Sequence, residues 1–173
     1  MIGADGAKSS FPPEAGPGTR LLILGSLPGE VSLARGQYYA HPQNQFWRLV
    51  GAVIDADLAG ADYSARLAAL ERAGVGLWDV VKTARRVGSL DQHIREPTPN
   101  PLAKFAARLP RLQAIAFNGE KAWKIGSAQL PGDAAPRLVR LPSSSPAHTL
   151  AFERKLDAWL GLRAFLAPAG SGP

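Results

Sequence analysis

Four short apolar runs, separated by stretches with helical periodicity, constrain this chain more than any other feature. The runs lie at residues 21–24, 75–80, 113–117 and 137–141, and turn-forming residues bound each of them. Short, bounded apolar runs predict buried β-strands. Because strands that alternate with helices connect by right-handed crossovers, the pattern predicts a three-layer α/β/α sandwich with a central, mainly parallel four-stranded sheet.

Apolar residues at helical spacing predict five helices that cover this sheet. The first opens near Pro42, a residue suited to a first helical position. The second runs from a Ser64 cap to a Gly74 stop. The other three are predicted to begin at residues 100–101, 119 and 145–146.

One domain accounts for most of the chain. The 173 residues are 46% apolar, which is enough to bury a sizeable core. We expect this domain to span residues 20–166, without internal repeats or a dividing linker. Residues 1–19 and 167–173 are rich in Gly, Pro, Ala and Ser, so we expect flexible segments at both ends.

Composition narrows the chemistry that the chain can perform. The absence of cysteine excludes disulfides, thiolate zinc sites and cysteine-bound iron–sulfur clusters. No apolar run approaches the roughly 20 residues that cross a bilayer, and no signal core is visible. We therefore expect a cytoplasmic monomer without metal, cofactor or membrane partner. A formal charge of +6 and a pI of about 10.1 suit a polyanion such as DNA, although basic proteins need not bind one.

The first apolar run leads directly into a turn that is rich in Gly and Pro. This turn reads Gly25-Ser26-Leu27-Pro28-Gly29. Glycine permits backbone angles closed to other residues and proline fixes φ, so backbone N–H groups can face a ligand or a water. The Gly-Lys-Ser/Thr ending of a nucleotide phosphate loop is missing. An ordinary turn after a strand remains the alternative.

A second segment places aromatic and polar side chains close together. It contains Tyr38, Tyr39, His41 and Asn44 and leads into the first predicted helix. In the first helical turn, the Asn44 amide can hold a water where the helix terminus favours developing negative charge. The alternatives are a local cap or loop hydrogen bond by Asn44 and packing of Tyr39 on the sheet edge.

The remaining strands also end in polar residues. These are Asp79 in Gly-Leu-Trp-Asp, the Asn118-Gly119 pair, and Ser143, Ser144, Ser145 and His148 in Leu-Pro-Ser-Ser-Ser-Pro-Ala-His. In parallel sheets, ligands bind beyond the carboxyl ends of the strands. We therefore expect all four motifs to border one site.

In combination, these motifs resemble the uracil-DNA glycosylase superfamily, and within it the hypoxanthine-DNA (deoxyinosine) glycosylase family. The resemblance covers roughly residues 20–165. It implies a monofunctional enzyme that flips a deaminated base out of DNA and hydrolyses its N-glycosidic bond. Hypoxanthine is the first substrate expected, with uracil or xanthine as others. The alternatives are a uracil- or mismatch-specific glycosylase, an inactive nucleic-acid-binding module and a nucleotide hydrolase or carrier.

The resemblance also implies a base pocket and a catalytic residue. Asn44 would hold the attacking water, and Tyr39 would stack on the base. The implied pocket consists of Gly25, Ser26, Leu27, Pro28, Gly29, Tyr39, His41 and Asp79. An ionised Asp79 only accepts hydrogen bonds, so it would take the N1 proton of hypoxanthine, pair with Arg85 or Arg86, or cap the next turn.

Two departures from related branches add weight to Asn44. Leu27 and Leu141 stand where many relatives have Asn, Asp or His. Because leucine cannot orient a water or bond an anionic leaving base, those roles must belong to other residues. This difference also argues against uracil as the main substrate.

The remaining motifs resemble DNA-binding loops of the superfamily. Asn118 and Gly119 would grip a backbone phosphate through N–H groups, although Asn-Gly is also a common turn. Ser143, Ser144 and Ser145 would bond phosphate oxygens in the loop that enters the minor groove, and His148 would bond a phosphate or protonate the leaving purine. A Ser-Pro helix entry also explains this segment. Six basic residues near these loops are interpreted as surface charges: Arg35, Arg48, Arg85, Arg86, Lys121 and Lys124.

Overall fold

Four parallel strands form the centre of the protein. A computed structural model describes residues 6–133 and 135–166. In this part of the chain the strands are β1 (Ala7–Ser9), β2 (Leu21–Gly25), β3 (Val75–Asp79), β4 (Val81–Arg85), β5 (Arg95–Pro99), β6 (Ala114–Asn118) and β7 (Arg137–Leu141). The central sheet has the order β3-β2-β6-β7, and each neighbouring pair is parallel. The four predicted strands and the predicted fold class are confirmed.

Helices cover both faces of this sheet. Those within the described residues are α1 (Glu30–Arg35), α2 (Phe46–Ile54), α3 (Tyr63–Ala73), α4 (Leu102–Ala106), α5 (Glu120–Ser127) and α6 (Phe152–Leu160). Short 3₁₀ helices span Asp91–His93 and Gly161–Phe165. Across the described ranges, no helix combines the length and apolar character needed to cross a membrane.

Alternate residues of β2 divide the core into two parts. Leu21 and Ile23 pack with buried residues of α2, α3 and α6 on one face of the sheet. Leu22 and Leu24 pack with α4, α5 and β4 on the other face. All four side chains are at most 1% exposed, and burial of each contributes about 1.5–3 kcal/mol to stability. This packing holds the ends of the strands in a fixed relation.

Three predicted helix starts are wrong. The first helix begins at Phe46 rather than near Pro42, since residues 41–45 form a turn in which the Asn44 N–H donates to the His41 carbonyl. α3 is capped by Asp62 rather than Ser64, because the Asp62 carboxylate accepts from the Ala65 N–H. The last helix begins at Phe152 rather than at residues 145–146, which belong to an irregular loop.

A second, antiparallel sheet was not predicted. Its order is β1-β4-β5, and residues of β5 are exposed and include two prolines, so no apolar pattern marks the strand. β1 lies in the segment expected to be flexible, yet it pairs along its length with β4. Pro12 of the same segment is also held, because the Tyr38 hydroxyl donates to its carbonyl at 2.9 Å. Residues 1–5 and 167–173 lie outside the described residues.

Candidate active site

The carboxyl ends of the parallel strands meet at one edge of the central sheet. In register, Gly25 lies beside Asp79 and Asn118 beside Leu141. A cleft of about 640 Å³ opens at this edge, a volume typical of small-ligand sites. Every residue predicted for the site lines it: Gly25, Ser26, Leu27, Pro28, Gly29, Tyr39, His41, Asn44, Asp79, Asn118, Gly119, Ser143, Ser144, Ser145 and His148.

Arg86 fixes the turn that follows β2. Its guanidinium donates to the carbonyl oxygens of Leu27, Pro28 and Gly88. The side chain is buried rather than on the surface, as the sequence had suggested. Within the described residues, the backbone N–H groups of Ser26 and Leu27 have no protein acceptor. The turn is therefore rigid and keeps donors available to a ligand.

Two polar groups meet above Gly25 without a protein partner. The Asp79 Oδ2 and the Tyr39 hydroxyl are buried, and neither has a hydrogen-bond partner in the described part of the chain. A Cβ atom on Gly25 would lie 2.7 Å from Asp79 Oδ1 and 2.8 Å from the Tyr39 hydroxyl. Such distances are too short for any side chain, so only glycine fits at residue 25. Buried polar groups of this kind need a partner, which a bound ligand can supply.

Burial changes the protonation of this part of the cleft. Burial, together with the nearby Asp91 carboxylate and against the opposing effect of Arg86, raises the pKa of Asp79 to about 7. Burial also raises the pKa of the Tyr39 hydroxyl well above its ordinary value, with a contribution from Asp79, whereas the nearby Asn118 amide opposes the rise. Near neutral pH, Asp79 therefore exists in both protonated and ionised forms, whereas Tyr39 stays a donor.

Asp91 is a cleft residue that sequence reasoning missed. Its Oδ1 accepts a hydrogen bond from the Ser26 hydroxyl at 2.6 Å. Burial raises the pKa of Asp91, and the Ser26 hydrogen bond and Arg86 oppose that rise. No local pattern marks Asp91, because it follows an irregular loop and meets Ser26 only through the tertiary fold.

Tyr39 presents one ring face to the protein core. Its ring stacks on Phe46 with centroids 3.8 Å apart and an angle of 13° between the planes. The Trp47 indole donates to the Tyr39 carbonyl at 3.0 Å. Tyr39 also has a positive φ of 52°, an uncommon conformation for a tyrosine. These contacts hold the ring rigidly at the cleft, where an aromatic surface suits a planar ligand.

The turn at residues 41–45, here called the Asn44 turn, begins just before α2. Asn44 precedes the helix instead of lying in its first turn, and its Oδ1 accepts from the Phe46 N–H at 2.9 Å. The amide NH₂ of Asn44 has no protein partner among the described residues and lines the cleft. In the same turn, His41 Nδ1 accepts from the Gln43 N–H. Asn44 therefore makes a local turn hydrogen bond just before the helix, whose N-cap residue is Gln45, and still offers two donors to a ligand or water.

Residues 143–148, here called the serine loop, also line the cleft. Asn118 and Ser144 bond reciprocally: the Asn118 amide donates to the Ser144 hydroxyl, and the Ser144 N–H donates to Asn118 Oδ1, both at 2.9 Å. The Gly119 N–H donates to the Leu141 and Phe117 carbonyls. The Gly119 N–H and the Asn118 side chain therefore already have protein partners. This differs from the prediction that the Gly119 N–H is free to bind a phosphate.

The serine loop keeps other donors free. The hydroxyl oxygens of Ser143 and Ser145 accept from the N–H groups of Ser145 and Ala147. Their hydroxyl protons have no acceptor in residues 6–133 and 135–166, so they can donate to an anion. His148 is exposed at the end of the loop. Lys121 and Lys124 of α5 also line the cleft, although the sequence analysis treated them as ordinary surface charges.

Comparisons with known proteins agree with this arrangement. The family model of the uracil DNA glycosylase superfamily matches residues 12–165. A protein from Methanosarcina barkeri (strain Fusaro / DSM 804) named hypoxanthine DNA glycosylase is 46% identical over 114 residues, which are 66% of this chain and 72% of that protein. A protein of the same name from Methanosarcina acetivorans is 38% identical over 88% of this chain and 95% of its own length.

A solved structure has the same fold. The solution NMR structure of a candidate uracil DNA glycosylase from Methanosarcina acetivorans superposes with a TM-score of 0.82 and 35% identity. The match covers 92% of this chain and 98% of that one. Family match, relatives and fold agree, and so the chain belongs to the uracil DNA glycosylase superfamily and is a DNA glycosylase.

Proposed function

We propose that this protein removes hypoxanthine from DNA by hydrolysing the N-glycosidic bond and leaving an abasic site. The observation that carries the proposal is the pair of buried, unpartnered groups at the end of the cleft, Asp79 Oδ2 and the Tyr39 hydroxyl. Hydrogen-bonding groups of an extruded base can satisfy them. The names of the two Methanosarcina relatives support hypoxanthine as the base.

The proposed base contacts follow from the chemistry of hypoxanthine, which carries an N1–H donor and O6 and N7 acceptors. The ionised Asp79 carboxylate accepts a hydrogen bond from N1–H, and the protonated form of Asp79 also offers a donor. The N–H groups of Ser26 and Leu27 and the Tyr39 hydroxyl supply donors for the acceptors. The Tyr39 ring supplies the stacking surface, on the face that Phe46 does not cover.

For the chemical step, we assign Asn44 the role of positioning the attacking water. Its free amide group faces the cleft while its Oδ1 is anchored to the Phe46 N–H. As the bond between C1′ and the base breaks, the sugar becomes oxocarbenium-like, and a water held by Asn44 attacks C1′. Preorganisation of this kind is effective because the amide needs no rearrangement during the reaction.

Contacts to the DNA backbone are assigned to the rim of the cleft. The free hydroxyl protons of Ser143 and Ser145 and the exposed His148 suit phosphate oxygens. Lys121 and Lys124 add positive charge on the α5 side, in line with the formal charge of +6. We propose that the protein acts as a monomer on DNA in the cytoplasm.

The direct test uses oligonucleotide duplexes that each carry a single inosine, uracil or xanthine residue, with an undamaged duplex as control. Alkali then cleaves any abasic sites. We expect product from the inosine duplex at the highest rate, in line with the names of the two Methanosarcina relatives. No product from any duplex would overturn the proposed activity, and product mainly from uracil would overturn the proposed base preference.

We also expect a monofunctional enzyme, because no lysine among the described residues is placed as a desolvated amine nucleophile at the base pocket. Lys121 and Lys124 lie on α5 and are partly or fully exposed, whereas Lys155 is engaged by two protein acceptors. Strand cleavage should therefore require added alkali. Borohydride trapping of a covalent protein–DNA adduct would contradict this prediction, and Lys121→Ala and Lys124→Ala would then identify the amine.

A further inference from the structure

A buried lysine lies next to the cleft without belonging to its lining. Lys155, on α6, is only 1% exposed. Its Nζ donates to Gln45 Oε1 at 2.9 Å and to the Ser145 carbonyl at 3.2 Å. Both acceptors are neutral, and among the described residues no carboxylate pairs with this ammonium group. Burial accordingly lowers the pKa of Lys155.

A buried ammonium group without a counter-ion is expensive for the fold. An apolar side chain of similar length, such as methionine, would avoid the desolvation cost at this position. The neighbouring Arg154 on the same helix is exposed, so solvent is within reach of α6. The two acceptors therefore explain why Lys155 is buried, since a charged residue on α6 can also lie in solvent.

These acceptors belong to two segments that line the cleft and contact each other. Gln45 follows Asn44 directly in the Asn44 turn, and Ser145 lies in the serine loop. A further bond joins the same segments, since the Gln45 N–H donates to the Ser144 carbonyl at 3.0 Å. Lys155 thus completes a connection between the segment that carries the water-holding amide and the segment assigned to DNA phosphate.

We propose that Lys155 is a positioning residue that locks the Asn44 turn to the serine loop, so that a bound DNA backbone sets the position of the Asn44 amide. This inference rests on the proposed function, because it assigns Lys155 an effect through Asn44. Lys155 itself does not contact the base or the reacting atoms.

Lys155→Met tests the proposal, with Arg154→Met as the matched control that removes an exposed charge from the same helix. We expect Lys155→Met to lower the single-turnover excision rate at saturating enzyme by roughly tenfold or more, the order of loss that misplacing a catalytic group produces. Affinity for inosine DNA should fall much less. Arg154→Met should leave the excision rate at the wild-type value.

A double-mutant cycle separates positioning from general damage. If Lys155 acts through Asn44, the variant with both Lys155→Met and Asn44→Ala should be little slower than Asn44→Ala alone. Multiplicative losses in the double variant would overturn the inference. Gln45→Met provides a second route if Lys155→Met fails to fold, because it breaks only the bond to the Asn44 turn and leaves Ser145 bonded. Gln45→Met should lower the single-turnover excision rate as Lys155→Met does.

Failure of this inference is distinguishable from failure of the proposed function. A wild-type protein that excises no base would overturn the proposed function. If wild type is active and Asn44→Ala is slow, but folded Lys155→Met and Gln45→Met keep the wild-type rate, the Lys155 inference alone is overturned.

Discussion

Replacing Asn44 by alanine should lower the single-turnover rate of hypoxanthine excision by roughly 10²-fold or more. Losses of this size are typical when a preorganised polar group is removed from a transition state. Binding of inosine-containing DNA should change little, because the proposed backbone contacts lie in the serine loop and on α5. Single-turnover kinetics with enzyme in excess, together with a binding isotherm, measure both effects.

Asn44 Oδ1 also holds the Phe46 N–H at the start of α2, so the experiment needs a variant that keeps this hydrogen bond. Asn44→Ser supplies a hydroxyl oxygen that can accept from the same N–H, and loss of one such hydrogen bond costs about 1 kcal/mol in stability. We expect Asn44→Ser to retain the thermal stability of wild type and to lose excision as Asn44→Ala does. A folded Asn44→Ala protein with near-normal chemistry would move the water-positioning role to the serine loop.

The central sheet was predictable because its strands are marked locally. Each is a short apolar run between turn residues, and the connecting helices carry apolar stripes such as Phe46, Leu49 and Val50. The second sheet was not predictable in this way. β5 consists of exposed residues with two prolines, and it exists because it pairs with β4. Strands that depend on a distant partner leave little local signal.

The cleft lining was predictable for a related reason. Parallel strands bring their carboxyl ends to one edge of a sheet, so motifs distant in sequence could be assigned to one site. The hydrogen-bond partners were not predictable. These contacts depend on distances that only the folded chain defines. Examples are the bonds of Arg86 to three carbonyls, of Ser26 to Asp91, and of Lys155 to two loops. The alternative of a local hydrogen bond by Asn44 is compatible with a free amide group instead of excluding it.

Wild-type protein should lose stability as pH rises from about 4 to about 7, and Asp79→Asn should remove much of this loss. Below the ordinary pKa of 3.8, the carboxyl is protonated in both folded and unfolded chains. Between 3.8 and about 7, only the folded state retains the proton, so rising pH favours unfolding. The full cost, on the order of 4 kcal/mol for this one buried group, is present above pH 7.

Denaturant unfolding of wild type and Asp79→Asn at pH 4, 6 and 8 tests this expectation. The difference between the two curves reports Asp79 together with its interaction with Asp91, since the other carboxyl groups are common to both proteins. The variant should gain stability over wild type steadily from pH 4 to 8, and a difference that does not change with pH would contradict the prediction. A carboxyl group retained at such a cost is expected where function needs it. The same variant should therefore change the ratio of hypoxanthine to uracil excision, because asparagine presents a donor and an acceptor to the base at every pH.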